Sequence, residues 1–380
     1  MSRFSIPIYD NTGRAASIQD IGPIAERVRV TTVLPGGCGE LSFRVPHPMW
    51  VVPNWVGPNY RVDVLDNEGI FWAGRMERFQ ALNDPSTGEY WEIIAIGFAA
   101  NGDDQLYTAQ DVNGLQTSAI VTNVVTNLMP QIGATSIEAS AVTLSAATAI
   151  TLKMLKSGQV IGWASLLGDS GNNPQQWHVY PRADRTILLT FEDRPTTAGY
   201  RLSVNSLKSY RFGFDMARFA NRVSGQYNAS ASVVTVNDTD LQGVGPGGVN
   251  VIRAAYFVDD EITQSADATQ QANALLTRLK QKRMSATSLV VNPNSLITDS
   301  SNQPVSLWRV RAGKIVWLID ITAAGINTSL MYNNSALVVG TEYDEESGIL
   351  TLTPESYESL MQMEVARASQ LLEGRHTVQT

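Results

Sequence analysis

Residues 306–320 of this chain read SLWRVRAGKIVWLID. Trp308 and Val310, then Ile315, Trp317 and Ile319, recur at the period of two that a half-buried strand needs. The stretch therefore reads as two apolar strands folded about a short basic turn at Arg311–Lys314. Leu307, Val316 and Leu318 occupy the opposite, outward positions, so this hairpin is apolar on both faces. One face must meet a core, and the other must meet a second apolar surface.

With 380 residues, 43% of them hydrophobic and 17% charged, the chain is globular and has room for two or three domains. A disordered chain would carry more charge and fewer apolar residues. The formal net charge of −8 argues against a basic nucleic-acid surface as the main function. Cys38 is the single cysteine, so neither an intrachain disulfide nor a cysteine-based metal site is expected. The start, MSRFSIPIYDNTGR, lacks an apolar run of signal-peptide length, and no window approaches ~18 uninterrupted apolar residues. The expectation is a protein made and folded in a cytoplasm, with no membrane anchor.

Strand patterns recur before and after a mixed middle. Glu26 to Val33 puts Val28, Val30 and Thr32 on one side, and a Pro35-Gly36-Gly37 turn leads into the alternating Glu40 to Val45. Pro46, Pro48, Pro53 and Pro58 make 46–59 a rigid excursion, which Trp50 and Trp55 are expected to pin. Further strands are expected over Tyr60 to Leu65, Ile70 to Gln80 and Tyr90 to Phe98. Their turns, Asp66 to Gly69 and Asp84 to Gly88, begin with Asp, whose carboxylate can hold turn amides, and end with Gly, which accepts positive φ. Next, Thr117 or Ser118 caps a helix carrying Ile120, Val121, Val124, Val125 and Leu128, which Pro130 stops. Residues 134–150, rich in Ala, Ser and Thr, read as loosely specified strand and loop. Ser157 opens a second helix with Val160, Ile161, Ala164 and Leu167 on one face, and Trp177 to Tyr180 pairs with Thr186 to Phe191.

Strands return over Phe219 to Tyr227, Ser232 to Val236 and Val251 to Val258. A long helix, 265–284, aligns Ala268, Ala272, Leu275, Leu276 and Leu279. Asp267 near its start and Lys280, Lys282 and Arg283 near its end suit the helix dipole, which gives the basic run Arg278 to Arg283 a structural role. Ser288 to Val291 and Leu337 to Leu352, folded about Asp344 to Gly348, complete the pattern. The fold class expected is α+β, mainly antiparallel β. The domains expected are 1–103 and 201–360, both β-rich, flanking a mixed domain at 104–200, with a C-terminal tail at 361–380.

Each chemical motif has a simpler structural reading. Gly168-Asp169-Ser170-Gly171 matches the nucleophile loop of chymotrypsin-like proteases, but a triad needs a histidine base and a buried carboxylate at that serine. Only His47, His178 and His376 exist, and His47 lies in a Pro-His-Pro loop. Gly243-Val244-Gly245-Pro246-Gly247-Gly248 fits G-x-G-x-x-G, yet a strand-like stretch follows it and Pro246 removes an amide from the phosphate cradle. Asp259-Asp260-Glu261 lacks the alternating oxygen spacing of a calcium loop and reads as a solvated turn, as does Asp103-Asp104. Trp50, Trp55, Trp72, Trp91, Trp163, Trp177, Trp308 and Trp317 could build a sugar-stacking platform. Four of these sit in strand patterns, where a core or a subunit interface is the ordinary role. No catalytic residue, cofactor site or metal site is expected.

In order, the parts resemble the baseplate or tail-tip hub proteins of long-tailed bacteriophages, whose relatives occur in other contractile injection systems. Ile70-Phe71-Trp72-Ala73-Gly74-Arg75-Met76-Glu77-Arg78 and Glu89 to Gly97 look like the strand pair closing the first barrel of such hubs. Phe219 to Gly225 resembles their strand entering the second barrel, and the 265–284 helix resembles the helix those barrels carry. Leu307 to Val316 is similar to a hairpin of theirs, with Ala312 and Lys314 in place of the usual residues, and Val338 to Asp344 fits their closing strand.

The resemblance implies two tail-tube-like β-barrel domains joined by the mixed domain. It implies a homotrimeric ring that adapts the sixfold tail tube to threefold tip proteins and lines a DNA exit channel. Its partners would be distal tail and tail tube proteins, tip or fibre proteins and the tape-measure protein, at the tail tip of a virion. Family members often append a peptidase or lysozyme domain, for which this sequence leaves little length after its last strand. The rival expectation is a tail-associated hydrolase of the cell envelope, or a carbohydrate-binding tail component.

Overall fold

The computed structural model describes residues 2–10, 16–85, 88–107, 110–112, 114–137, 143–144, 151–152, 155–209, 214–215, 219–229, 231–239, 251–260, 262–280, 283–284, 288–320 and 334–355. Strand β1 (Pro7–Tyr9) is followed by β2 (Glu26–Val33), β3 (Gly36–Pro46), β4 (Arg61–Asp66), β5 (Gly69–Asp84) and β6 (Gly88–Gly97). Val28, Val30 and Thr32 face inward from β2, and Leu41, Phe43 and Val45 from β3, as their spacing predicts. Antiparallel pairing runs β1–β4–β5–β6–β3–β2.

In the middle of the chain, helix α1 (Thr117–Leu128) precedes strand β7 (Gly133–Ile137) and helix α2 (Ser157–Leu166). The helices bury Ile120, Val121, Val124, Val125, Val160, Ile161 and Ala164 against the predicted hairpin, β8 (Gln175–Pro181) and β9 (Ile187–Asp193). The first helix already includes Thr117 and follows Gln116, which makes no side-chain cap bond, so neither Thr117 nor Ser118 caps it. The second opens at Ser157 as expected, where the Lys156 amide donates to Gln159 Oε1 at 2.9 Å and the Ser157 hydroxyl to the Gln105 carbonyl at 3.0 Å. The hairpin joins the first meander beside β3, where His178 and Val179 run parallel to Gly36 and Gly37. Gly37 has φ +90°, and a Cβ there would lie 2.2 Å from the Val179 carbonyl oxygen, so only glycine fits.

Strands β10 (Ala198–Ser203) and β11 (Leu207–Ser209) lead to a separate three-stranded sheet. In it, β12 (Arg222–Tyr227) is central, antiparallel to β13 (Ser232–Asn237) and parallel to β14 (Ala254–Asp259). Helix α3 (Ser265–Leu279) lays Ala272 and Leu276 over Val223, with Val234, Val236 and Phe257 around them. The helix ends five residues short of the expected 284. Arg283–Met284 is already extended and pairs with Phe214–Asp215, so the basic run is not one helical face. Arg278 and Lys280 have partners within the chain, Glu355 and Asp238.

The described chain finishes with β15 (Leu289–Val291), β16 (Ile297–Asp299), β17 (Ile315–Ile319), β18 (Ser335–Asp344) and β19 (Ile349–Pro354). Gly340 to Asp344 of β18 pairs with β2, so the first and last strand-rich regions form one continuous sheet. The ladder continues β18–β19–β15–β11 and does not close on itself among the described residues. One core spans it, with Val28, Leu41 and Ile93 from the first region and Leu202, Val291 and Leu352 from the last. Each such side chain contributes ~1.5–3 kcal/mol by leaving water. The fold is α+β and mostly antiparallel sheet.

The stretch 306–320 takes a different form from the expected hairpin. Leu307–Arg309 is a 3-10 turn, and only Ile315–Ile319 extends. Trp308 donates its indole N–H to Asp66 at 2.6 Å, Arg309 donates Nε–H to the same carboxylate at 2.7 Å, and Arg309 also reaches the Gly69 carbonyl at 2.8 Å. These bonds fold the first half of the stretch onto the Asp66–Gly69 turn. Strand β17 runs parallel to β10 and antiparallel to β18, so it is interior to its sheet and apolar on both sides. Its faces are the reverse of the expectation. Val316 and Leu318 are buried, while Trp317 is 38% exposed beneath the Arg201 guanidinium, 5.4 Å from the ring centroid. A lysine at Leu318 would therefore test folding rather than assembly.

Candidate interaction surfaces

The protease-like motif is a self-contained loop. Asp169 is buried and accepts hydrogen bonds from the Gly171 amide at 2.9 Å, the Asn173 amide at 2.6 Å and Asn173 Nδ2 at 3.0 Å. Gly168 and Asn172 take φ of +71° and +64° to close the loop, which leaves Ser170 exposed. Among the described residues, His47 meets the Pro48 carbonyl at 3.1 Å and His178 lies 5.1 Å from the Tyr180 ring, and neither contacts Ser170. Burial, with the charges of Lys314 and Arg311, pulls the His178 pKa down to about 4. His376 and the glycine-rich Gly243 to Gly248 lie outside the described residues.

The acidic motif also reads differently in place. Asp259 is buried, not solvated, and accepts a hydrogen bond from Gln271 of α3 at 3.0 Å. Sequence reasoning missed this because the partner lies on the helix that folds back over the turn. Asp103 and Asp104 are exposed as expected, and Asp104 pairs with Arg75. No group of three or more His, Cys, Asp or Glu placed to hold a metal occurs among the described residues. Burial pushes the Cys38 thiol up to about 11.

Two buried carboxylates, Asp63 and Glu355, and the half-buried Asp66 clamp the regions together. Asp66 holds the 306–320 stretch; burial disfavours its charge, but the bonds from Arg309 and Trp308 outweigh that and hold its carboxyl below the usual range. Asp63 lies 2.7 Å from Arg61 and 3.4 Å from Arg185 of the β8–β9 turn, with burial pushing its carboxyl up. Glu355, just past β19, meets Arg194 at 2.6 Å and Arg278 of α3 at 3.7 Å. Burial brings Arg194 down to about 10, so it remains charged at neutral pH. Their geometry is that of ion-pair clamps between distant segments.

Of the tryptophans, Trp55, Trp72, Trp91, Trp163 and Trp177 are core, and Trp308 is half-buried. Trp50 does not pin its loop as expected: it stands 78% exposed within 46–59, beside the exposed Val51 and Val52, while Trp55 is buried as expected. A second apolar surface lies on the three-stranded sheet opposite α3, where Val233, Tyr256 and Val258 point to solvent. Neither surface is covered by another part of the described chain.

No protein-family model and no curated protein sequence matches this chain. Solved structures do. A tail protein from Neisseria meningitidis aligns at TM-score 0.59 and 12% identity, over 92% of this chain and 95% of that one. The prophage tail protein gp18 from Listeria monocytogenes aligns at 0.57 and 11%, over 97% and 99%. The chain has the fold of phage tail proteins. A 43 kDa tail protein of prophage MuSo2 from Shewanella oneidensis shares that tail-protein fold at 0.56 and 10% identity, over 92% and 98%.

Proposed function

We propose that this chain is a structural hub of a bacteriophage tail tip. Three copies would form a ring that adapts a sixfold tail tube to threefold tip proteins and surrounds the DNA exit channel. The observation that carries the reading is end-to-end likeness: at least 92% of this chain superposes on at least 95% of each of three tail proteins. Two apolar surfaces left uncovered among the described residues fit a part that is finished by neighbours.

In this reading the strand-rich regions at 1–103 and 201–360 each contribute a tube-like barrel position, completed in the ring, and the mixed region at 104–200 lies outside it. The partners are distal tail and tail tube proteins, tip or fibre proteins and the tape-measure protein. The hub has no enzymatic role of its own, because Asp169 is committed to loop amides and His47 and His178 to other neighbours. Labelling this chain with gold-tagged antibody on purified particles tests the assignment: label at the tail tip is expected, and label on capsid or tube shaft would refute it. The rival, an envelope hydrolase or glycan binder, predicts turnover of purified cell walls or glycan retention by the pure protein, and the hub predicts neither.

A further inference from the structure

Two apolar surfaces are left uncovered among the described residues, and they differ in kind: one on a loop, one on a sheet. One is the loop at Met49 to Val52, on a fixed base. Trp55 and Val56 are buried, Trp91 donates its indole N–H to the Pro48 carbonyl at 3.3 Å, and the Met49 amide donates to Glu89 at 3.1 Å. Residues 45–60 contain no Asp, Glu, Lys or Arg in a chain that is 17% charged. The other is the outer face of β12–β14. Tyr256 is 81% exposed there beside Val258, with Val233 two strands across; Ser224, Gln226 and Thr235 fill the uncharged centre of that face, and Arg222 at its end donates Nε–H to Asn237 at 2.6 Å.

We propose that the Trp50 loop of one copy docks on the Tyr256 face of the next copy. Both surfaces are uncharged at their centres, so expelling water between them strands no ion. A loop and a sheet face are unlike patches on one chain. Unlike patches make heterologous contacts, which close into a ring when the rotation between copies is a whole fraction of a turn, whereas a twofold pair needs one self-complementary patch. Aromatic side chains present on the order of 150–250 Å² each. Trp50, Tyr256 and their valine neighbours thus supply a substantial part of the ~800 Å² per partner of a standard interface. Aromatic residues on rigid bases also lose little freedom on docking and dominate interface energetics. A lipid occupant is disfavoured by charge, since anionic bilayers attract Lys and Arg, while Glu89 flanks this loop. The proposal rests on the ring reading and adds which surfaces meet.

The test places a photoreactive benzoylphenylalanine at position 51 of the full chain, leaving Trp50 in place. Light and dark isotope-labelled chains are mixed, irradiated and mapped. Crosslinks between chains into 232–237 and 254–259 are expected. Tyr256→Glu, at an exposed position, should lower that yield at least tenfold with an unchanged melting temperature. Crosslinks to any other segment, none between chains, or Trp50-dependent association of the wild-type chain with anionic vesicles would overturn the proposal. A particle holding a copy number other than three, with the crosslinks intact, would remove the trimer and leave the docking; three copies without the crosslinks would do the reverse.

Discussion

Asp66 illustrates how single residues hold this protein together. It opens the turn before β5, accepting the Glu68 amide at 2.8 Å, and the same carboxylate accepts Trp308 and Arg309 from the far end of the sequence. Charge-assisted hydrogen bonds contribute ~1.5–3 kcal/mol each, so Asp66→Asn should destabilise by about 2–3 kcal/mol and lower the melting temperature at pH 7. Because the folded-state pKa lies below the unfolded value of ~3.9, this stabilisation is present above about pH 4 and is lost as pH falls through the folded value. The variant should therefore show a flatter decline of melting temperature below pH 4 than the wild type. Parallel curves would show that Asp66 makes no such contribution. The turn role of Asp66 was legible from its Asp-to-Gly spacing, but its partners were not, since nothing local in 66–69 points to residue 309. Trp50 was illegible for a related reason: between prolines, a buried and an exposed tryptophan look alike.

Elements were legible where one face is apolar and the other polar. Val28, Val30 and Thr32 in β2 fix both the strand and its inward side, and Ile120, Val121, Val124 and Val125 do the same for α1. The reading failed at β17, whose apolar residues on both sides satisfy either face assignment; the parallel partner β10 decides it, and no periodicity reveals that partner. Leu318→Ala should cost about 2–5 kcal/mol by leaving a core cavity. Trp317→Ser, one residue earlier, should cost only about 1 kcal/mol, mostly the lost cation–π contact. Thermal melting of the pair checks the faces, and the opposite ranking would reverse them. Gly37→Ala should lower the melting temperature too, because positive φ and the approach to Val179 leave no room for a methyl group. A wild-type melt for that variant would mean the β3–β8 junction is not as close as described.

For the whole molecule, strand-rich ends around a mixed middle could be read from the order of turns and helices. The continuity of the two ends through β2 and β18 could not, because strand pairing over 300 residues of separation leaves no trace in either segment alone. The Glu355 clamp, which ties β19 to β9 and α3, is equally non-local. Such joints favour a subunit whose regions keep fixed relative positions, which the proposed ring would require. The fold is shared with phage tail proteins; the threefold ring at the tail tip is the central claim built on it. An electron cryo-microscopy reconstruction of the purified particle, with this chain located in the density, tests that claim most directly. Three copies around the tail axis, each presenting its β2–β6 and β15–β19 regions side by side to one channel, is the predicted result; any other copy number, or a position off the axis, would contradict it.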